Sequence, residues 1–319
     1  MNSRRYFLKT SALVAAAPGF SMAAKQGPVT GAPVTGMIGV TTGSFMSHIT
    51  YGQEAGKISM LDLPKVMRND LDMRVIDFMS RTLESFEPAY LEKLRTAVEE
   101  NKCIATNLKC NQRGVDIASP NDETRKEALQ TYRDSIDAAK LLGCRWIRPI
   151  SGGGKNPNRD RLVESYRELI DYGSEHGVGI IIENVGWIAN DPDAIPELIG
   201  RVGDDLLAGP DTGNWKDDPT RYAGLTNAYP FAVTSDFKAF QLEPDGSHSK
   251  YNLEKCFRTG WDAGFRGPWV IEHFHTDLDG LLAGFREVKN RMQRWIETGA
   301  GQKNQERATD RFLFALDYV

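Results

Sequence analysis

The sequence predicts an α/β protein of the (β/α)8 class, the TIM barrel, on three observations. Eight short apolar runs alternate with helical segments over about 260 residues, the count and size of such a barrel. Runs such as Ile180-Ile181-Ile182 are β-branched throughout, which suits parallel strands buried on both faces. Nearly every run ends in an ionisable residue, and the C-terminal ends of the strands are where a barrel keeps its chemistry. A doubly wound open sheet is the competing fold, but the Gly-rich fingerprint it needs after its first strand is absent.

The elements follow in order. Residues 37–40 form a short strand, and a loop containing His48 leads to a helix over 61–71 with Pro64 in its first turn. A strand at 75–78 precedes a helix at 88–101, whose Leu91, Leu94 and Val98 share one face. The third strand, 103–108, ends at Lys109. Ser119-Pro120 opens a long helix with Leu129, Tyr132, Ile136 and Ala139 at helical spacing and Gly143 past its end. Strand four, 145–150, is followed by the loop Ser151-Gly152-Gly153-Gly154-Lys155, which lacks the spacing and terminal Ser/Thr of a phosphate-binding P-loop. A helix over about 161–175 stops at Gly177, strand five ends at Glu183, and a short helix spans 195–202. Strand six ends at Asp211, a helix lies near 219–227, and residues 231–240 contain strand seven. A helix at 252–263 stops at Gly264 before strand eight, 269–272. A closing helix, 278–296, is followed by a polar stretch and a last amphipathic segment, 307–316.

The 319 residues are 40% hydrophobic and 26% charged, ordinary for a soluble globular protein. Residues 1–23 hold Arg4, Arg5 and Lys9 and no acids, so of the formal net charge of −4 the remainder carries 36 Lys and Arg against 43 Asp and Glu, or −7. An acidic body argues against nucleic acid as partner, because phosphate contacts need a basic face. The segment Ser3-Arg4-Arg5-Tyr6-Phe7-Leu8-Lys9, an apolar stretch over 11–22 and Ser21-Met22-Ala23 read as a twin-arginine export signal with its cleavage site. The apolar stretch is too short for a stable membrane anchor, which needs about 20 apolar residues. Residues 24–35 read as a flexible lead-in, and 36–319 as the barrel with a C-terminal helical extension. Cys103, Cys110, Cys144 and Cys256 form no CxxC pair and read as buried free thiols, although an exported protein could oxidise them. Nothing fixes the oligomeric state, and a homo-oligomer is compatible with the chain.

Reading off the strand ends gives His48, Asp77, Lys109, Arg148, Glu183, Asp211, Asp236 with Lys238, and Glu272 with His273 and His275. Glu183, Asp211 and Glu272 at one mouth would repel each other, and a divalent cation is the simplest thing that makes such a cluster stable. Oxygen ligands favour Mg²⁺ or Mn²⁺ over Zn²⁺. Alternation along strand seven points Asp236 and Lys238 to the mouth and Phe237 to the helix layer, so Asp236 is expected to face the metal; a direct Asp236–Lys238 pair is the competing arrangement. Glu183 and Glu272 lie three strands apart and face across the mouth, as a base and its partner acid must if a proton beside a carbonyl is to be moved. Trp187 and Trp215 either stack on a sugar's apolar face or pack.

The order strand-Glu183-Asn184, strand-Asp211-Thr212-Gly213-Asn214, strand-Asp236-x-Lys238, strand-Glu272 resembles the xylose isomerase-like sugar isomerase/epimerase superfamily over roughly residues 36–296. The resemblance implies that Glu183, Asp211 and Glu272 are metal ligands and that Glu183 and Glu272 are the acid/base pair. It leaves His48, Lys109, Arg148, Trp215, Lys238 and His275 as substrate-binding candidates. One departure stands out: the superfamily commonly has His-x-Lys on strand seven, where this chain has Asp236-Phe237-Lys238.

The leading reading is therefore a metal-dependent isomerase or epimerase of a non-phosphorylated sugar or keto-sugar, since phosphosugars are scarce outside the cytoplasm. A lyase or dehydratase on a keto-sugar or keto-glycoside would use the same base and metal, and a non-catalytic sugar-binding barrel is a third reading. The superfamily's endonuclease branch is opposed by acidity, export and too few histidines at strand ends. Replacing Arg4 and Arg5 with lysines is expected to hold the precursor in the cytoplasm and prevent cleavage after Ala23. Cell fractionation checks this, and undiminished periplasmic protein would refute the signal.

Overall fold

The inward and outward faces of each strand carry different chemistry, and the fold follows from that. The computed structural model describes residues 34–316, apart from Gln53, Ala55, Arg113, Gly153, Lys155, Asn156, Pro244 and Gly246 and the side chains from 300 on. The segment expected to be an export signal, most of the expected lead-in and part of the Gly-rich loop lie outside the described residues. The barrel strands are β1 (Ile38–Thr41), β2 (Val75–Met79), β3 (Ile104–Lys109), β4 (Trp146–Arg148), β5 (Gly179–Ile182), β6 (Leu206–Ala208), β7 (Ser235–Lys238) and β8 (Trp269–Glu272). All pair in parallel, in the spatial order β6-β5-β4-β3-β2-β1-β8-β7.

The ring closes between the stretch after β6 and β7 through isolated parallel bridges, Ala208 with Ala232 and Asp211 with Asp236. Val233 N donates to Ala208 O at 2.9 Å, Asp236 N to Pro210 O at 3.0 Å, and Thr212 N to Asp236 O at 2.9 Å. The eight-stranded barrel read from the sequence is the fold.

Side chains alternate along each strand. Ile180 and Ile182 join the large core between sheet and helices, whereas Ile181 packs with Trp146 and Leu207 in a separate cluster inside the ring. Val75 and Val270 form a second inner cluster. Two residues further along the same faces come Asp77, Arg148, Glu183 and Glu272, so an apolar floor supports an ionisable upper layer. Phe237 turns outward as its register requires, edge-on to Trp269 and Trp295.

The helices are α1 (Leu63–Asn69), α2 (Pro88–Glu100), α3 (Asp122–Leu142), α4 (Arg159–His176), α5 (Ala194–Val202), α6 (Asp218–Ala228), α7 (Leu253–Asp262) and α8 (Leu278–Leu316). Asn121, Asn158, Asp217 and Asn252 cap α3, α4, α6 and α7 by accepting from the backbone N–H three residues on. The Asn121 cap starts α3 later than Ser119-Pro120. Gly143 and Gly177 end α3 and α4 in the left-handed conformation.

Two features differ from the sequence reading. A short parallel ribbon, Ile49–Thr50 with Ile58–Ser59, interrupts the loop after β1. The closing helix runs on through the polar stretch, and Gly299 within it faces α7, where a Cβ would lie 2.7 Å from Arg258 Nη1. All four cysteines are buried and free. Among the described residues no helix is long and apolar enough to cross a membrane.

Gly224 on α6 lies against Trp215, and a Cβ there would be 2.2 Å from the ring. Gly→Ala in a helix ordinarily stabilises, but at this position Gly224→Ala is expected to cost about 1–3 kcal/mol by overpacking. Urea unfolding measures it, and a more stable variant would contradict the packing described here.

Candidate active site

Each upper-layer side chain has a fixed partner. Lys109 Nζ lies 2.5 Å from Asp236 Oδ1 and 3.9 Å from Asp77 Oδ2. Arg148 Nε is 2.9 Å from Glu183 Oε2, and its Nη2 donates to Asn111 Oδ1 at 2.7 Å. Lys238 Nζ is 2.9 Å from Asp211 Oδ2 and 3.1 Å from Glu272 Oε2, and it donates to Asn214 Oδ1 at 2.6 Å. Asn214 Nδ2 donates in turn to Glu183 Oε1 at 2.9 Å. A polar path of Lys238 and Asn214 thus joins Glu272 to Glu183 across the mouth.

The short motifs quoted above now have physical work to do. Asn184 Oδ1 accepts from Asp211 N at 2.7 Å and its Nδ2 donates to Asp211 O at 2.9 Å, holding in place a residue that lies beyond the end of β6. Asp211 Oδ1 accepts from Gly213 N at 2.5 Å and Asn214 N at 3.0 Å. Thr212 Oγ1 accepts from Lys238 N at 3.0 Å. Gly213 leaves room that any side chain would fill, since a Cβ would lie 2.5 Å from Lys238 Cδ. Tyr251 O–H donates to the Lys238 carbonyl at 2.6 Å, a contact no sequence signal marked.

One carboxylate oxygen from each of Glu183, Asp211 and Asp236 lies within 4.8 Å of the other two, and all three residues are buried. Burial pushes the Glu183 carboxyl up to about 7; Arg148 opposes the rise and the Asp236 and Asp211 charges add to it. Asp77, wholly buried, is pushed up to about 6 by burial against the pull of Lys109. Glu272 is raised by burial, opposed by Lys238. Burial works against the charge on Lys109, but Asp236 and Asp77 outweigh it and hold the ammonium above its ordinary range.

The donor set fits a divalent cation. The five carboxylates Asp77, Glu183, Asp211, Asp236 and Glu272 face the three cations Lys109, Arg148 and Lys238, an imbalance equal to one divalent charge when all are ionised. Asp211 Oδ2 is buried and makes no well-directed hydrogen bond. An all-oxygen set suits Mg²⁺ or Mn²⁺. Glu272 stands outside the convergent group of three, its carboxylate on Lys238. Asp236 faces the cluster as its register requires, and its close partner is Lys109, not Lys238.

The remaining candidates sit on the rim or in the core. His48 is buried and its Nε2 contacts the His275 carbonyl at 3.0 Å, while the His275 ring pairs with Asp277 at 2.9 Å near solvent. His273 is buried with Nδ1 2.6 Å from the Ala239 carbonyl, and burial lowers its pKa. Trp215 is only 4% exposed, and with its ring against Gly224 its burial fits the packing reading, not sugar stacking. Trp187 is buried beneath the Arg159 guanidinium.

The raised Glu183 carboxyl has a consequence for stability. Its folded value lies above the unfolded one, so the folded state holds more protons and loses stability as pH rises from about 4.5 to about 7. Metal-stripped protein is expected to become less resistant to urea over that range, with a shallower decline in Glu183→Gln. Identical slopes for the two proteins would contradict the assignment.

The model of the xylose isomerase-like TIM barrel family matches residues 70–298. L-ribulose 3-epimerase superposes with a TM-score of 0.67 at 14% identity, over 84% of this chain and 97% of its own. A xylose isomerase domain protein from Planctomyces limnophilus gives 0.62 at 15%, over 84% and 100%. A xylose isomerase-like TIM barrel protein from Mycobacterium smegmatis, in complex with magnesium, gives 0.56 at 20%, over 80% and 96%. At these identities the likeness is one of fold, and no curated protein matches the sequence. The family match spans well over half of the chain and takes in every strand from β2 to β8, so the chain belongs to the xylose isomerase-like TIM barrel family.

Proposed function

We propose that this chain is a divalent-metal-dependent isomerase or epimerase of a non-phosphorylated sugar or keto-sugar, exported through the twin-arginine route. The observation that carries the reading is the pair Glu183 and Glu272, on β5 and β8, joined by Asn214 and Lys238 around a buried carboxylate cluster. The activities named among proteins of similar fold, L-ribulose 3-epimerase and D-psicose 3-epimerase, support the sugar class.

Glu183, Asp211 and Asp236 would hold the cation, with Glu272 closing the set. When bound, it would stabilise negative charge developing on the substrate's oxygens. Glu183 is the base. In the metal-free protein burial raises its carboxyl, which makes it a readier proton acceptor than an exposed glutamate. Asn214 and Arg148 hold its two oxygens, which fixes the direction from which it reaches a proton beside a carbonyl. Glu272, across the mouth, returns a proton to the opposite face, and Lys238 beside it keeps its carboxylate oriented.

Mature protein loaded with Mn²⁺ and incubated in D₂O with free ketoses and 3-keto-glycosides should yield an isomeric sugar carrying deuterium. Release of an aglycone or water would make the protein a lyase, and no exchange with any substrate would overturn catalysis at this site. Glu183→Gln and Glu272→Gln are each expected to abolish turnover with the fold intact. Retention of more than about a tenth of the rate, less than about 1.4 kcal/mol of barrier, would remove that residue from the acid/base pair.

A further inference from the structure

Lys109 holds a position that the proposed function does not use. Its side chain is 3% exposed, its ammonium touches Asp236 at 2.5 Å, and its other anionic neighbour is Asp77 at 3.9 Å. Lys238 is placed differently: its side chain is 16% exposed and its charge is shared among Asp211, Glu272 and Asn214. A cation held by Glu183, Asp211 and Asp236 would share the Asp236 carboxylate with the Lys109 ammonium, and two positive charges at one carboxylate repel strongly in a dry site. Lys109 cannot retreat to water. The one anion within reach that the metal does not need is Asp77, fully buried, with Oδ1 bonded to Thr106 Oγ1 and Oδ2 3.4 Å from Asn107 Nδ2.

We propose that Lys109 is a two-position ammonium, resting on Asp236 in the metal-free protein and moving onto Asp77 when a divalent cation takes Asp236. Asp77 is then a positioning residue that sets metal affinity without touching metal or substrate. The inference rests on the metal reading given above. It also accounts for a fully buried carboxylate whose near partners, Thr106 and Asn107, are neutral and whose cation stands 3.9 Å away.

The test is a Mn²⁺ titration followed by the electron paramagnetic resonance signal of the free ion, on chelator-stripped wild type, Asp77→Asn, Lys109→Gln and the double variant. Asp77→Asn should bind Mn²⁺ about tenfold more weakly, because the displaced ammonium has nowhere to go, and Lys109→Gln about tenfold more tightly. In the Lys109→Gln background the Asp77→Asn loss should shrink to less than about threefold, since the two sites communicate only through the lysine. An equal loss in both backgrounds overturns the proposal and leaves the metal reading standing; no Mn²⁺ binding by any of the four proteins overturns both. Should Lys109→Gln fail to fold, wild type labelled with ¹⁵N-lysine decides. The buried ammonium resonance, identified by its absence in Lys109→Arg, must shift on addition of Mg²⁺, and an unmoved signal refutes the two positions.

Discussion

Charge balance in a buried layer governs this structure. The upper layer of the barrel packs five carboxylates against three cations, and none of these groups except Lys238 and Glu272 has appreciable access to solvent. A carboxylate in such a place must be paired or must give up its charge. Both solutions occur side by side: Asp236 is gripped by Lys109, whereas Glu183 rises towards neutrality despite Arg148. The apolar floor of Val75, Trp146, Ile181 and Val270 makes this possible by sealing the ring from below, so that the polar layer meets water from one side only.

Positions within that layer are set by amides more than by charges. Asn184 grips both backbone groups of Asp211, and Asn214 grips Glu183, so each of two neighbouring strand ends carries an amide that serves the other strand's acid. Hydrogen bonds of this kind fix direction, which ion pairs do weakly. Gly213 belongs to the same device, because the turn that lets two amides point at Asp211 Oδ1 passes too near Lys238 and Tyr251 for a side chain.

Periodicity made much of this legible. The inward register of Asp236 and Lys238, the outward turn of Phe237 and the arrival of Glu183 and Asp211 at one mouth all follow from alternation along strands of known direction. What alternation cannot show is which inward side chain meets which. Lys109 and Asp236 are separated by 127 positions, and their contact depends on the curvature of the whole ring. The competing partner for Asp236, Lys238, lies two residues away on the same face, and nothing in one dimension separates the two. Trp215 was ambiguous for a related reason: an aromatic just past a strand end can turn to the mouth or to the helices, and the deciding contact, Gly224, lies on the next helix. The continuity of α8 was hidden because the polar stretch after residue 296 carries no apolar period to mark it as helix.

The seam of the barrel lies at the same place. Seven strand junctions are true ladders, while the eighth, after β6, is held by two isolated bridges, one of them between Asp211 and Asp236. Two of the three residues whose carboxylates converge on the candidate site are therefore also residues whose backbones fasten the ring. Anything that draws those two carboxylates together also clamps the cylinder at its thinnest weld, and ligand affinity and mechanical closure become one quantity seen from two sides.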